Sequence, residues 1–168
     1  MEQHKVRIML LATFAAMGCG MMAGILFAFS NFVMTALSRQ PPASAIRTMQ
    51  AINIYILNPL FFALFLGTAV ASLVLAAWAS VRLPSRGAFL LLAGSNLYLV
   101  GTVGVTLIFN VPLNNKLAEL NPESTDAATY WLTYLHDWMR WNHVRTVAAT
   151  IAAALLMWAI QKLQFAAE

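Results

Sequence analysis

The stretch LHDWMRWNHVRTVAATIAAALLMW, starting at Leu135, opens a long apolar run with His136, Asp137, Arg140, Asn142, His143 and Arg145 in a chain where charge is scarce. These side chains suit acid–base and anion chemistry. An imidazole titrates near neutrality and takes up a proton. A guanidinium held nearby stabilises the oxyanion that forms. On a helix, His136, Arg140 and His143 fall at i, i+4 and i+7 and share one stripe, with Trp138, Trp141 and Arg145 on the next. The expectation is a polar pocket with His143 as proton acceptor and Arg145 as oxyanion partner. His136, Arg140, Trp141 and Asn142 would line its wall. A metal fits less well. His136 and His143 would stand about 10.5 Å apart along a straight helix, too far to share one zinc ion. There is no HExxH, no carboxylate pair and no cysteine cluster, so no tightly bound metal is expected. Haem on a single histidine stays open.

The elements that must hold these residues are membrane helices. Of 168 residues, 61% are hydrophobic and 10% charged, at mean hydropathy +0.72. A soluble domain carries about 25% charge. Four apolar runs are long enough to cross ~30 Å of hydrocarbon, at about 8–32, 54–81, 87–113 and 141–161. They predict an all-α, up-down-up-down four-helix bundle forming one integral membrane domain. The first run is too long for a signal peptide and lacks a small-residue cleavage site, so it reads as a retained helix. Pro41 and Pro42 break it, and 43–53 reads as a short amphipathic helix. Ser124 or Thr125 reads as the cap of the last helix. The net charge of +4 forms no basic patch interleaved with aromatics, which argues against nucleic acid. Cys19 stands alone, which excludes a disulfide within the chain.

Alternating spans bring one set of helix ends together. Asn31, Asn53, Asn58, Asn110 and Asn114 then join the Trp141–Arg145 segment at one membrane face. Counting back from Lys162 at ~1.5 Å per residue puts the boundary near Trp141. Arg145 and His143 then lie just inside the apolar zone, where an unpaired charge costs at least a few kcal/mol, so both are expected to point into the bundle. Asn31, Asn53, Asn110 and Asn142 are expected to orient a polar head, while the apolar remainder holds a lipophilic small molecule. Interfacial anchoring and helix capping are the competing explanations for these residues. Gly20 and Gly24 form a GxxxG pattern, which points to a homo-oligomer or to close packing within the bundle. Membrane lipid is the other expected partner. Lys5, Arg7, Arg82, Arg86 and Lys162 balance Arg39, Arg47, Lys116, Arg140 and Arg145. Because the first set is tightly juxtamembrane, both termini are expected to be cytoplasmic, in a bacterial inner membrane.

The segments FAFSNFVMTAL, MQAINIYILNPLFF, FLGTA, FNVPLNNKLA and WMRWNHVRT resemble the anthrone oxygenase-like family of small four-helix membrane proteins. The resemblance covers roughly residues 8–160, with FSNFVM and the Trp141-Asn142-x-x-Arg145-Thr146 segment most specific. Asn31, Asn142 and Arg145 fall on the family's motifs. Fungal members oxidise anthrones to anthraquinones, so the resemblance implies an oxygenase with molecular oxygen as co-substrate and no tightly held cofactor. The alternative is a non-catalytic membrane protein that binds a lipid or quinone, or a helper subunit.

Overall fold

The structure is a computed structural model that describes residues 2–165. It is all-helical, with no strand among the described residues. Helix α1 runs Gln3–Ser38, α2 Pro42–Tyr55, α3 Pro59–Ser80, α4 Arg86–Ala118 and α5 Thr125–Phe165. All except α2 are long and apolar enough to cross a membrane, which makes this an integral membrane protein. Their outward faces carry Leu10, Met17, Phe27, Val70, Leu73 and Ile151, all exposed. Apolar surface on that scale belongs in lipid.

Local chemistry sets the helix starts. Pro42 and Pro59 sit in first turns, where a missing N–H costs nothing. The Asn58 side chain caps α3 by accepting the Phe61 N–H at 3.0 Å. Ser85 caps α4 through Ala88 N–H at 3.2 Å, and Ser124 caps α5 through Ala127 N–H at 3.1 Å.

Helix α3 has 22 residues, about 33 Å at ~1.5 Å per residue, so it just spans the hydrocarbon and Pro59 marks one boundary. That level carries across the bundle. Tyr98 of α4 donates to the Phe65 carbonyl at 3.2 Å, and Gly101 packs on Ala148 of α5. Gly87 and Gly94 pack on Leu163 and Leu156, so α4 and α5 run antiparallel, consistent with up-down order. Followed along these contacts, the Pro59 level crosses α4 near Gly104 and α5 at Arg145.

Below that level lies an alanine-rich core that includes Ala12, Ala15, Cys19, Ala152 and Leu156. Above it is a second core of Met34, Ile46, Met49, Leu117, Trp131, Tyr134 and Trp138. The helices of the apolar runs therefore extend well past the hydrocarbon. Helix α1 continues to Ser38, and α5 begins at Thr125, as the Ser124 cap predicts, well before its membrane span starts near Trp141. Hydropathy measures only the lipid-covered length, and the overhang is held by this headpiece core. In the headpiece, α2 takes the place that α3 holds in the membrane. Gln50 Nε2 ties α2 to the end of α4 by donating to the Leu117 and Leu120 carbonyls at 2.8 and 3.0 Å. Those carbonyls lie at and just beyond the C-terminus of α4, where the regular ladder of helix bonds ends. Arg47 adds an exposed ion pair with Glu123, worth under ~1 kcal/mol.

The glycines divide into two kinds. A Cβ on Gly101 would stand 2.6 Å from Ala148 Cβ, so that contact requires glycine. A Cβ on Gly20 or Gly24 would meet nothing within 4 Å, so these two do not pack within the bundle. Gly101→Ala should therefore cost roughly 1–3 kcal/mol through overpacking and lower the thermal midpoint in detergent. Gly24→Ala should hold or raise it, since alanine is the better helix former. Equal losses in both variants would refute this packing.

Candidate functional site

At the seam between the two cores a buried polar cluster ties three helices together. Asn142 is fully buried. Its Nδ2 donates to the Leu26 carbonyl and to Ser30 Oγ, both at 2.8 Å. The acceptors lie on α1 at a π-helical turn, Phe29–Val33. A wide turn disturbs the regular carbonyl ladder, and the asparagine amide answers one carbonyl there. Ser30 also meets Thr146 Oγ1 at 3.1 Å, and Thr146 donates to the Asn142 carbonyl at 2.8 Å.

Arg145 completes the cluster and is only 6% exposed. Its Nη2 donates to Asn142 Oδ1 at 2.8 Å and its Nη1 to Thr106 Oγ1 at 3.2 Å. The guanidinium lies 5.2 Å from the centroid of the Trp138 ring, a cation–π distance. Its Nε is buried without a partner, and no carboxylate among the described residues pairs with it. A buried charge with only neutral partners keeps much of its desolvation cost, several kcal/mol for an unpaired ion.

Helix α4 supplies the facing wall through an unusual register. Tyr98, Thr102, Thr106 and Asn110 recur every fourth residue, a spacing that drifts around a regular α-helix. Two π-helical stretches, Leu99–Gly104 and Thr106–Asn110, take more residues per turn and keep these side chains toward the interior. Asn110 Nδ2 donates to the Trp138 carbonyl at 3.2 Å, while its Oδ1 is buried without a partner. One turn on, Asn114 Oδ1 accepts from both Tyr134 OH at 2.8 Å and Trp138 Nε1 at 2.9 Å.

These groups border a cavity of about 490 Å³, within the range of small-molecule sites. Arg145, Thr106, Asn53, Asn114, Asn115 and Gln50 are its polar lining, and the rest is apolar, including Leu26, Phe29, Phe61 and Trp138. Asn53 Nδ2 is buried without a partner. The lining is thus rich in unused donors and contains no carboxylate or imidazole.

The sequence-expected residues separate here. Arg145 and Asn53 line the cavity, with Asn142 and Asn110 buried beside it. His136, Arg140 and His143 share a stripe, but that stripe is exposed. His136 pairs with Asp137 at 2.8 Å. The position of His143 therefore does not suit a base acting in the cavity. Trp141 is half-buried and stacks on Phe109 at 3.6 Å between centroids, while Asn31 is exposed. The inward stripe of α5 is Trp131, Tyr134, Trp138, Asn142 and Arg145, all buried. Sequence reasoning leaves Thr106, Asn115, Gln50 and Trp138 out of the site, and places Asn114 at the polar end with a helix end as its competing explanation. Among the described residues no three His, Cys, Asp or Glu side chains gather into a metal-holding group.

Fold and site together define a four-span membrane protein with a substrate-sized pocket around an uncompensated guanidinium at one membrane boundary. The family model described as Anthrone oxygenase matches residues 59–155, more than half of the chain, and the protein belongs to that family. Neither curated proteins nor solved structures gave a match.

Asn142 is the hub of the cluster, so Asn142→Ala should destabilise by roughly 2–4 kcal/mol, since it strands Arg145 and the Leu26 carbonyl in a dry interior. Ser30→Ala should cost under about 1.5 kcal/mol, because the Leu26 bond survives. Detergent melting curves that rank the two variants the other way would refute the assignment.

Proposed function

We propose that this protein is a membrane-embedded oxygenase acting on a lipophilic aromatic, anthrone- or quinol-like, whose ionised oxygen lies against Arg145. The observation that carries the reading is the buried, unpaired guanidinium bordering a mostly apolar cavity. Family membership supports it. Arg145 lowers the cost of ionising the substrate by pairing with its oxyanion, in a site where little water weakens the attraction. Asn53 and Asn114 orient the remaining oxygens. The proton leaves to water at the cavity mouth. The electron-rich anion then reacts with molecular oxygen. For an anthrone, the ring methylene loses two hydrogens and gains one oxygen as a carbonyl, and the second oxygen atom leaves as water. Arg145 holds the negative charge through these steps, and apolar walls that include Phe29, Phe61 and Trp138 enclose the ring.

A second reading rests on the Asn142–Arg145–Thr106 bonds, which tie α4 and α5 together at the seam. On that reading the protein binds a quinone or lipid without chemistry, alone or as a helper subunit. We further place the termini on the cytoplasmic side of a bacterial inner membrane and the headpiece outside. Supporting this, Lys5, Arg7, Arg82 and Arg86 are tightly juxtamembrane and Arg145 is buried, which leaves the basic excess at the other end.

Oxygen uptake by the protein in lipid discs, given an anthrone, separates the readings. Uptake above the spontaneous rate should fall by about 10²-fold in Arg145→Ala, the loss of one oxyanion partner. Arg145→Lys should keep part of it, as a charge without the fork. His143→Ala should stay near the parent rate, because His143 faces away from the cavity. Well-folded Arg145→Ala with full uptake would sink the role given to Arg145, and well-folded parent protein with no uptake above the spontaneous rate would sink the oxygenase reading.

A further inference from the structure

The cavity mouth has two unlike sides. Ile54 and Leu57 both line the cavity and are exposed, at 69% and 60%. Across the mouth, Asn115 and Ala118 are also lining and exposed, higher on the headpiece. Ile54 and Leu57 belong to the joint between α2 and α3, just above the Pro59 boundary. There the outward surface is apolar on both flanks, with Tyr55 and Leu60 each 79% exposed. Asn58 fixes the joint by donating to the Tyr55 carbonyl at 3.0 Å while capping α3. An apolar sill at the depth where lipid tails begin, leading to an unpaired cation, matches one kind of occupant. That occupant carries its anionic oxygen at one end and its apolar body in the bilayer.

We propose that the ligand of this pocket is a membrane-dissolved anionic amphiphile, and that it reaches Arg145 sideways from the lipid, over the Ile54–Leu57 sill. This deepens the reading of the site given above, but it concerns binding and access rather than oxygen chemistry. The route has a physical rationale. Carried head-first along the interface, the charged group never crosses the hydrocarbon interior, and the apolar body never leaves it.

The test uses a spin-labelled fatty acid, doxyl-stearic acid, and its uncharged methyl ester. The protein, in lipid discs, keeps Trp138 as its only tryptophan, with Trp78, Trp131, Trp141 and Trp158 changed to Phe. Trp138 lines the cavity, so an occupant quenches its emission. The acid should quench saturably and beyond the ester, and Arg145→Gln should abolish that excess. Leu57→Cys is then compared before and after attachment of a bulky maleimide, since Cys19 is buried and spared. The adduct should remove most of the acid-specific quenching. The same adduct on Val81→Cys, 75% exposed at the opposite end, should not. Quenching that survives the Leu57 adduct would mean access from water past Asn115 and Ala118, and would overturn the proposal. So would equal quenching by acid and ester. Lost oxygen uptake with the quenching intact would refute the oxygenase reading and leave this one standing.

Discussion

A guanidinium without a counter-ion, held at the edge of the hydrocarbon, is the constraint around which this protein is arranged. Solvent cannot neutralise Arg145, because the side chain is 6% exposed. Neighbouring acids do not neutralise it either, because none of the described carboxylates pairs with it. What holds it is a set of neutral oxygens, Asn142 Oδ1 and Thr106 Oγ1, and the face of Trp138. Two of these are fixed in turn by another helix, Asn142 by Leu26 and Ser30 and Trp138 by Asn114, while Thr106 donates to the Thr102 carbonyl of its own helix. The charge is thus oriented without being cancelled. An arginine kept for stability alone would gain more from a carboxylate at this position.

The space beside it arises from a break in one column of the bundle. Helices α1, α4 and α5 run through both cores, whereas the fourth column changes from α3 to α2 at residues 56–58. Proline at the start of α3 and the Asn58 cap prevent one helix from continuing into the other. The cavity occupies the gap this leaves. Irregular winding elsewhere serves the same place. The π-helical turns of α1 and α4 sit at the cavity's level and bring Ser30, Thr106 and Asn110 toward α5. Such turns carry a local cost and are common where function is.

Much of this was legible in the sequence, and what was missed follows from one choice of stripe. Four spans, the breaking prolines, the Asn58 cap and the inward placement of Arg145 all follow from hydropathy, depth and turn chemistry. The histidines did not. His136 and His143 share a helical face with Arg140, and their chemistry, with the depth of His143, points that face at the pocket. Packing decides otherwise. Followed backward from the apolar end, Ala159, Leu156, Ala152 and Ala149 lead in steps of three or four to Arg145, Asn142, Trp138, Tyr134 and Trp131, all buried. His143 falls outside this series. The headpiece was harder to read. Helix α5 stays regular far above the lipid because Trp131 and Tyr134 bury against α2, a contact that hydropathy of single runs does not register. The π-helical register of α4 left one signal, the four-residue recurrence from Tyr98 to Asn110.

The length of α3 has a consequence for where this protein works well. Its neighbours overhang the lipid, so a change in bilayer thickness merely shifts where they emerge. Helix α3 has no overhang: Asn58 caps one end and Arg82 follows the other. A thicker bilayer would cover the joint and the cavity mouth with acyl chains, and a thinner one would leave the sill in water. Mismatch costs only a fraction of a kcal/mol per Å, too little to unfold the bundle. It is enough to set how readily a dissolved molecule meets the opening. Entry to the cavity therefore depends partly on the membrane, and ligand binding should vary with acyl-chain length in discs while the melting point stays nearly fixed.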